Sequence, residues 1–521
     1  MRTSSLLRDH PPVTITTGYY KLLMTTIPAT RYETVIGLEV HVQLLTERKM
    51  FCGCRAAYAD DAPNTHVCPV CMALPGVLPV INRKAVEFTV MAALALNCEI
   101  PSFSKFDRKN YPYPDLLKGY QISQFDLPLS QNGWLEIQVE GEEPRRIGVT
   151  RCHLEEDTAR LTHKNDGGET YSLIDMNRSG VPLMEIVGDP DLRSPEEARA
   201  YLVKLQRILR YIGVSKANME EGNFRCDANI SLRSFGETEL GSKVEVKNMN
   251  SFRAVYNALH SEVIRQAAEL DAGHRIPQET RGWIEADGGS TVSQRSKEEA
   301  HDYRYFPEPD LPPITLDAAY IDAVRAKLPE LPDAKMARFE RDYGLAEYEA
   351  NLLTETRAKA DFFEQAVAPA KQKDEAARVR YAHQIANWMI GDFVRLLNAS
   401  SLDIADSKVN PADLYGMIDL IEQGTISGKI AKTVFEEMFA TGKPPAAIIS
   451  DLGLEQISGS DEIGGIVDGV LDANPKAVED FRAGKQEAVK FLVGQAMRVT
   501  RGRANPETLT GILVAKLEAK G

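Results

Sequence analysis

Four cysteines stand in two close pairs, Cys52 and Cys54 as C-x-C and Cys68 and Cys71 as C-x-x-C, on either side of the loop 55–67. Such pairs can converge four thiolates on a tetrahedral zinc, and a closed sulfur shell leaves no position for water, so the metal would staple the loop and catalyse nothing. Four free buried cysteines are the competing reading. Redox catalysis finds no support, because no thioredoxin-like βαβ pattern surrounds the pairs. Cys98, Cys152 and Cys226 are scattered, and seven cysteines in this arrangement do not make a disulfide framework. A reducing cytoplasm fits.

A second group of residues carries more acid–base chemistry than a solvated surface needs: GLEVHVQL, HLEEDTARLTH, DMNRSGVPLMEIV and NMEEGNFRCDANISL. Carboxylates with an imidazole are a ligand set for Mg²⁺, which keeps water and phosphate oxygens in its remaining positions. That points to ATP. No G-x-x-x-x-G-K-[ST] occurs, so a nucleotide would not be held by a P-loop. Glu185 lies in the apolar run Leu183 to Val187, where a carboxylate is costly unless it meets a metal or a partner such as a nearby arginine. Arg178, Arg225 and Lys247 are the candidates for neutralising phosphate. Lys247 belongs to a polar knot with Asn248, Asn250 and Ser251 that ends in a helix N-terminus, where anions bind readily.

Strands must present most of these groups. In ETVIGLEVHVQL the period of two puts Val35, Gly37, Glu39 and His41 on one face and Ile36, Leu38, Val40 and Val42 on the other, so Glu39 and His41 stand side by side away from the core. In HLEED the same alternation groups His153, Glu155 and Asp157 against Leu154 and Glu156. Only one of the two glutamates can face a given site, and periodicity does not choose between them. In FRCDANISL, Arg225, Asp227 and Asn229 share a face, with an ordinary solvated strand face as the rival reading.

At 521 residues the chain requires several domains. With 26% charged residues and no apolar run of the length a membrane span needs, no membrane association is expected. A net charge of −14 excludes a general nucleic-acid coat and leaves room only for a local basic surface. Residues 1–31, interrupted by Pro11, Pro12 and Pro28, read as an unstructured extension, with Met24 as a rival start. Strand patterns dominate 32–321, broken by a helix whose cap is Ser194 and whose first position is Pro195. After DYRYFPEPDLPP the composition turns helical, with N-cap and proline pairs at Asn410-Pro411, Asn474-Pro475 and Asn505-Pro506. KPP at 443–445 marks a second boundary. The expected class is therefore α+β: a strand-rich domain over 32–321, an all-helical domain over 322–443 and a small helical tail over 444–521. In the tail, Lys490, Arg498 and Arg501 share a helix face opposite Val489, Val493 and Ala496, and Arg503 extends the patch. These four form the candidate nucleic-acid surface.

The strings ETVIGLEVHVQL, PGVLPVIN, SKFDRKNYPYPD, KGYQISQFD, EEGNFRCDANISL, EVKNMNSF, DYRYFPEPDLPP and GKQEAVKFLVGQAMRVTRGRANP, in this order, resemble the B-subunit family of aspartyl/glutamyl-tRNA(Asn/Gln) amidotransferases. The resemblance runs from about Tyr32 to the C-terminus. It implies a cradle domain, a helical domain and a tRNA-gripping tail, in a heterotrimer with an amidase A subunit and a small C subunit. It implies a glutamine-hydrolysing, ATP-dependent carbon–nitrogen ligase that phosphorylates the side-chain carboxylate of Glu-tRNA(Gln) or Asp-tRNA(Asn) and amidates it with ammonia from the A subunit. Carried over by motif, the Mg²⁺ and phosphate site comprises Glu39, His41, Glu156 and Glu185, with Glu156 taken over Glu155 on the resemblance alone. Structural Zn²⁺ at the four cysteines rests on the spacing in this chain. Two other classes compete. A tRNA-binding module without chemistry has no use for the convergent carboxylates, and a ligase for a free amino acid has no use for the basic tail.

Overall fold

The computed structural model describes residues 31–296, 302–454, 460–482, 485–500, 504 and 506–519. Apart from Arg31, the extension 1–31 lies outside them. The chain forms two compact units, 1–329 and 330–521.

The first unit is built on an eight-stranded sheet: β1 (Tyr32–Gln43), β2 (Ser130–Ile137), β3 (Arg145–Glu156), β4 (Pro182–Gly188), β5 (Phe224–Ser234), β6 (Val244–Met249), β7 (Glu279–Ile284) and β8 (Ser290–Ser296). Their spatial order is β8-β7-β6-β5-β1-β4-β3-β2, so β1, the first strand in sequence, becomes an interior strand with antiparallel neighbours on both sides. Only β6 and β7 run parallel, and the helix α3 (Phe252–Asp271) makes the crossover that a parallel pair requires. The expected alternation in β1 is realised: Ile36, Leu38, Val40 and Val42 are at most 1% exposed, while Glu39, His41 and Gln43 remain accessible. Val42 pairs with Phe224, whose ring meets Phe252 of α3 edge-on, so the even-numbered face of β1 is the one covered by helix.

Local sequence explains the other helices. α1 (Arg83–Ala95) is capped by Asn82, and α2 (Pro195–Tyr211) by Ser194, whose hydroxyl accepts the Glu197 N–H. Pro195 occupies the first turn, where its missing N–H costs nothing. Ser251 caps α3 in the same way. The helix Ala318–Arg325 packs on α1, which carries the strand-rich unit to Pro329, eight residues past the composition boundary at 321.

A small antiparallel sheet bears on the site. Asp107–Asn110 pairs with Tyr120–Ser123 on one side and Phe306–Pro307 on the other. It joins residues from the two ends of the unit. Arg108 locks it with a bidentate bond to buried Glu308, at 2.7 and 2.8 Å.

The second unit is helical throughout. Pro411–Glu422 begins at the Asn410 cap, and Phe339, Tyr343 and Phe363 form an aromatic knot at its core. The helix Pro445–Leu452 packs on Pro411–Glu422 and Gly428–Thr441. Ser460–Ala473, Pro475–Arg482, Glu487–Val499 and Pro506–Ala519 then close a separate small core around Ile463, Val467, Leu492, Leu509 and Leu513. Asn505 lies outside the described residues, and its helix does begin at Pro506. Among the described residues, no helix is long and apolar enough to cross a membrane.

Candidate active site

Register makes the site. His41 lies directly opposite Glu185 across the β1–β4 ladder, and Glu185 lies directly opposite His153 across the β4–β3 ladder. Cross-strand neighbours on one face stand about 5 Å apart, so three strands deliver a row of imidazole, carboxylate and imidazole. Two residues on from His153, Glu155 joins the row. His41 Nε2 is 3.6 Å from Glu185 Oε2 and 3.8 Å from Glu155 Oε1, and His153 Nε2 is 3.2 Å from Glu185 Oε2. Ser123 of the small sheet donates its hydroxyl to Glu155 at 3.1 Å.

One donor atom each from His41, Glu155 and Glu185 fits within 4.8 Å of the others, the geometry of a cation site. Two carboxylates at that separation repel by about 3–4 kcal/mol at an effective dielectric of 20. Both are nearly buried, so positive charge is required. Burial pushes the Glu185 carboxyl up. The fields of His153, His41 and Lys109, with a hydrogen bond from His153, outweigh it and hold the group well below the usual carboxylate range. The donor set suits a hard divalent cation such as Mg²⁺.

Glu156 does not join this cluster. Its side chain leaves the opposite face of β3, accepts the Ile122 N–H at 3.1 Å and pairs with the Lys118 ammonium. The reason is the period of two in a strand. Glu155 shares the face of His153, and Glu156 cannot. Glu39 is on the His41 face of β1, with Oε1 accepting from the Asn229 amide at 2.8 Å.

The three candidate phosphate cations are engaged elsewhere. Arg178 donates to the carbonyls of Thr158 and Ala159, at 2.9 and 2.8 Å. Arg225 pairs with Asp157 at 3.0 Å, and Lys247 with Asp227 at 2.5 Å and Glu245 at 3.1 Å. Burial pushes the Asp157 carboxyl up, but Arg225, Arg178 and Gln43 keep it below its ordinary value. A cleft of about 1280 Å³ opens beside Gln43 and Arg178, with Arg48, Arg55, Arg160 and Lys216 on its walls.

The sequence reading missed Lys109 as well as the roles of His153 and Glu155. Lys109 lies in SKFDRKNYPYPD. Burial lowers its pKa, and the fields of Glu155 and Glu185 among others more than reverse this, so the ammonium is held charged.

The four cysteines converge. Their sulfurs lie within 4.8 Å of one another, and the Cys68 N–H points at Cys71 Sγ from 3.0 Å. A hydrogen bond from Cys52, against the cost of burial, draws the Cys71 thiol down to about 5, helped by the Cys68 N–H and by Lys49. Burial first, then hydrogen bonding with Cys68, pushes Cys54 up to about 11. Buried Lys49 ties the loop down by donating to the carbonyls of His66 and Met176, at 2.8 and 3.2 Å.

In the tail, Lys490 and Arg498 are exposed on Glu487–Val499. Ala496 is fully buried on the other side, and Val489 and Val493 flank the same core. Arg501 and Arg503 lie outside the described residues.

Comparison with known proteins agrees with this architecture. Residues 34–322 match the GatB/GatE catalytic domain family, and residues 361–517 match the GatB domain family. The chain is 55% identical over 487 residues to the B subunit of the aspartyl/glutamyl-tRNA(Asn/Gln) amidotransferase of Carboxydothermus hydrogenoformans, covering 93% of this chain and 99% of that one. Proteins of the same name from Dehalococcoides mccartyi (strain CBDB1) and Moorella thermoacetica are 55% and 54% identical. They cover 94% and 93% of this chain and 99% and 100% of their own. The chain belongs to the GatB family of aspartyl/glutamyl-tRNA(Asn/Gln) amidotransferase B subunits.

Proposed function

We propose that this chain activates and amidates the side-chain carboxylate of Glu-tRNA(Gln), Asp-tRNA(Asn) or both. The observation that carries the reading is the convergence of His41, Glu155 and Glu185 on one sheet face, in the field of the Lys109 ammonium. A carboxylate oxygen of the substrate attacks the γ-phosphorus of ATP and ADP leaves. Ammonia then attacks the carbonyl carbon of the acyl phosphate, inorganic phosphate departs, and the nitrogen loses a proton to give the amide. His41, Glu155 and Glu185 would hold Mg²⁺, with Glu39 further along the same face. Bound there, the ion neutralises phosphate oxygens and improves the leaving group. Lys109 adds a fixed positive charge.

The ammonia would come from glutamine hydrolysis by an A subunit, and a small C subunit would complete the assembly, which is cytoplasmic in this reading. Cys52, Cys54, Cys68 and Cys71 would bind a structural zinc. Lys490, Arg498, Arg501 and Arg503 would grip tRNA, with 444–521 as the tail domain. ATP hydrolysis by the purified assembly tests the reading. Mischarged tRNA should stimulate it, whereas uncharged tRNA and free glutamate should not. Equal turnover with free glutamate would point to an amino-acid ligase, and no turnover with any of the three to a binding module.

A further inference from the structure

Lys49 is 1% exposed, yet among the described residues its ammonium pairs with no carboxylate. Its partners are two neutral carbonyl oxygens, those of His66 at 2.8 Å and Met176 at 3.2 Å. A buried cation with neutral acceptors alone is costly, and a fold tolerates one where an anion stands close by. Asp61, in the same loop as His66, and Asp175, next to Met176, are taken up otherwise. Asp61 pairs with His66 Nε2 at 2.9 Å, and Asp175 Oδ1 accepts the Asn64 and Asn177 N–H groups, each at 3.0 Å.

What stands beside Lys49 is the four-cysteine cluster. Lys49 comes three residues before Cys52, and its N–H donates to the Cys54 carbonyl at 2.9 Å. Its side chain and Cys71 flank the same glycine: a Cβ on Gly180, at φ +81°, would lie 3.6 Å from Lys49 Cδ and 3.9 Å from Cys71 Cβ. The field of the ammonium favours the thiolate of Cys71. A zinc ion in a shell of four thiolates is a dianion, and half-buried it is unfavourable for the same reason as the lone ammonium. We propose that Lys49 is the counter-ion of the four-cysteine metal site, so that each makes the burial of the other tolerable.

The placement also gives this positioning residue something to hold. Met176 opens the turn that runs through Val181 into β4, the strand of Glu185. The Met50 N–H donates to the Gly180 carbonyl at 2.6 Å, and the Gly180 N–H to the Asp157 carbonyl at 2.8 Å. Lys49 thereby fastens the metal loop to the turn from which that strand starts.

The proposal rests on the reading of the cysteines as a zinc site, which the zinc content of the wild-type assembly checks by itself. Two variants test Lys49 in the intact assembly: Lys49→Met removes charge and hydrogen bonds, and Lys49→Gln removes the charge but keeps an N–H donor. Zinc affinity is read by competition with a chromogenic chelator, and melting temperature is read with zinc bound and after its removal. Both variants should hold zinc roughly 10–100-fold less tightly than wild type. Loaded, both should melt below wild type; stripped of zinc, they should melt at or above it, because without the dianion the buried ammonium is only a burden. The affinity comparison decides alone if the zinc-free form is too unstable to melt cooperatively. Unchanged zinc affinity would overturn the proposal. So would an equal loss of melting temperature with and without zinc, which would make Lys49 a clamp on the His66 and Met176 carbonyls. A loss of affinity in Lys49→Met that Lys49→Gln does not share would assign the effect to hydrogen bonding and overturn it as well. A wild-type assembly that neither carries nor binds zinc would end the reading of the cysteines, and the proposal with it.

Discussion

His41 and Glu185 face each other across adjacent antiparallel strands, Nε2 3.6 Å from Oε2, although 144 residues of chain separate them. The pairing is a product of sheet order, since β4 inserts beside β1 and brings β3 with it. The meeting of His41, Glu185, His153 and Glu155 follows from that insertion.

Loss of these carboxylates should abolish the chemistry and spare ammonia production. Glu39→Ala or Glu185→Ala in the assembly is expected to lower amide formation on mischarged tRNA by roughly a hundredfold or more, while glutaminase activity remains measurable. Titration with Mg²⁺ distinguishes the neighbouring glutamates. Glu155→Gln should raise the Mg²⁺ concentration needed for half-maximal rate, whereas Glu156→Gln, on the opposite face of β3, should not. The reverse pattern would return the metal to Glu156.

Much of the scaffold was legible because it depends on short-range regularities. The period of two sorted β1 into a buried and an accessible face, and the cap residues Ser194, Ser251 and Asn410 marked helix starts where they occur. The same period grouped Glu155 with His153 without choosing between the two glutamates, and the choice of Glu156 rested on the family resemblance alone. What stayed hidden is long-range. Nothing near Arg225 announces Asp157, and nothing near Lys247 shows that Asp227 and Glu245 will occupy it. The stacked ring pair of Phe125 and Tyr305 spans 180 positions and forms only once the small sheet closes.

The four-cysteine site should contain about one zinc per chain by elemental analysis. Cys68→Ser should lower the melting temperature by more than about 5 °C, with a weaker effect on amide formation, because ligand loss removes binding energy that is also folding energy. A metal-free preparation of full stability would refute the assignment.

Glu262 of α3 is fully buried and binds Arg265 with both oxygens, at 2.9 and 2.8 Å, while Arg281 of β7 lies 3.1 Å away. It therefore pins the edge of the sheet to its helix. Burial raises its pKa, and hydrogen bonds from Arg265, Thr291 and Gln266 outweigh this, so the folded value lies below the ordinary 4.5. A depressed carboxylate contributes its stability in full above the unfolded value and loses it as pH falls through the folded one. Glu262→Ala should cost about 3 kcal/mol or more near neutrality, since it takes from Arg265 its bidentate carboxylate partner. Below pH 4.5 the gap to wild type should narrow in urea melts. A constant gap down to pH 3 would refute the linkage.

The tail should bind tRNA through a local basic face on a chain whose net charge is −14. Lys490 and Arg498 are eight residues apart on one helix, which at 100° per residue leaves them about 80° apart, on the side away from buried Leu492 and Ala496. Arg501 follows directly after this helix and its terminal turn. Each phosphate contact contributes roughly 0.7–0.9 to the slope of log affinity against log salt. Replacing Lys490, Arg498 and Arg501 by Ala should therefore weaken tRNA binding and flatten that slope by about 2. The tail is folded around a core of its own, so the substitution should raise KM for mischarged tRNA far more than it lowers kcat, the signature of lost binding that ground state and transition state share. Unchanged affinity with an unchanged salt slope would make this an ordinary solvated helix face.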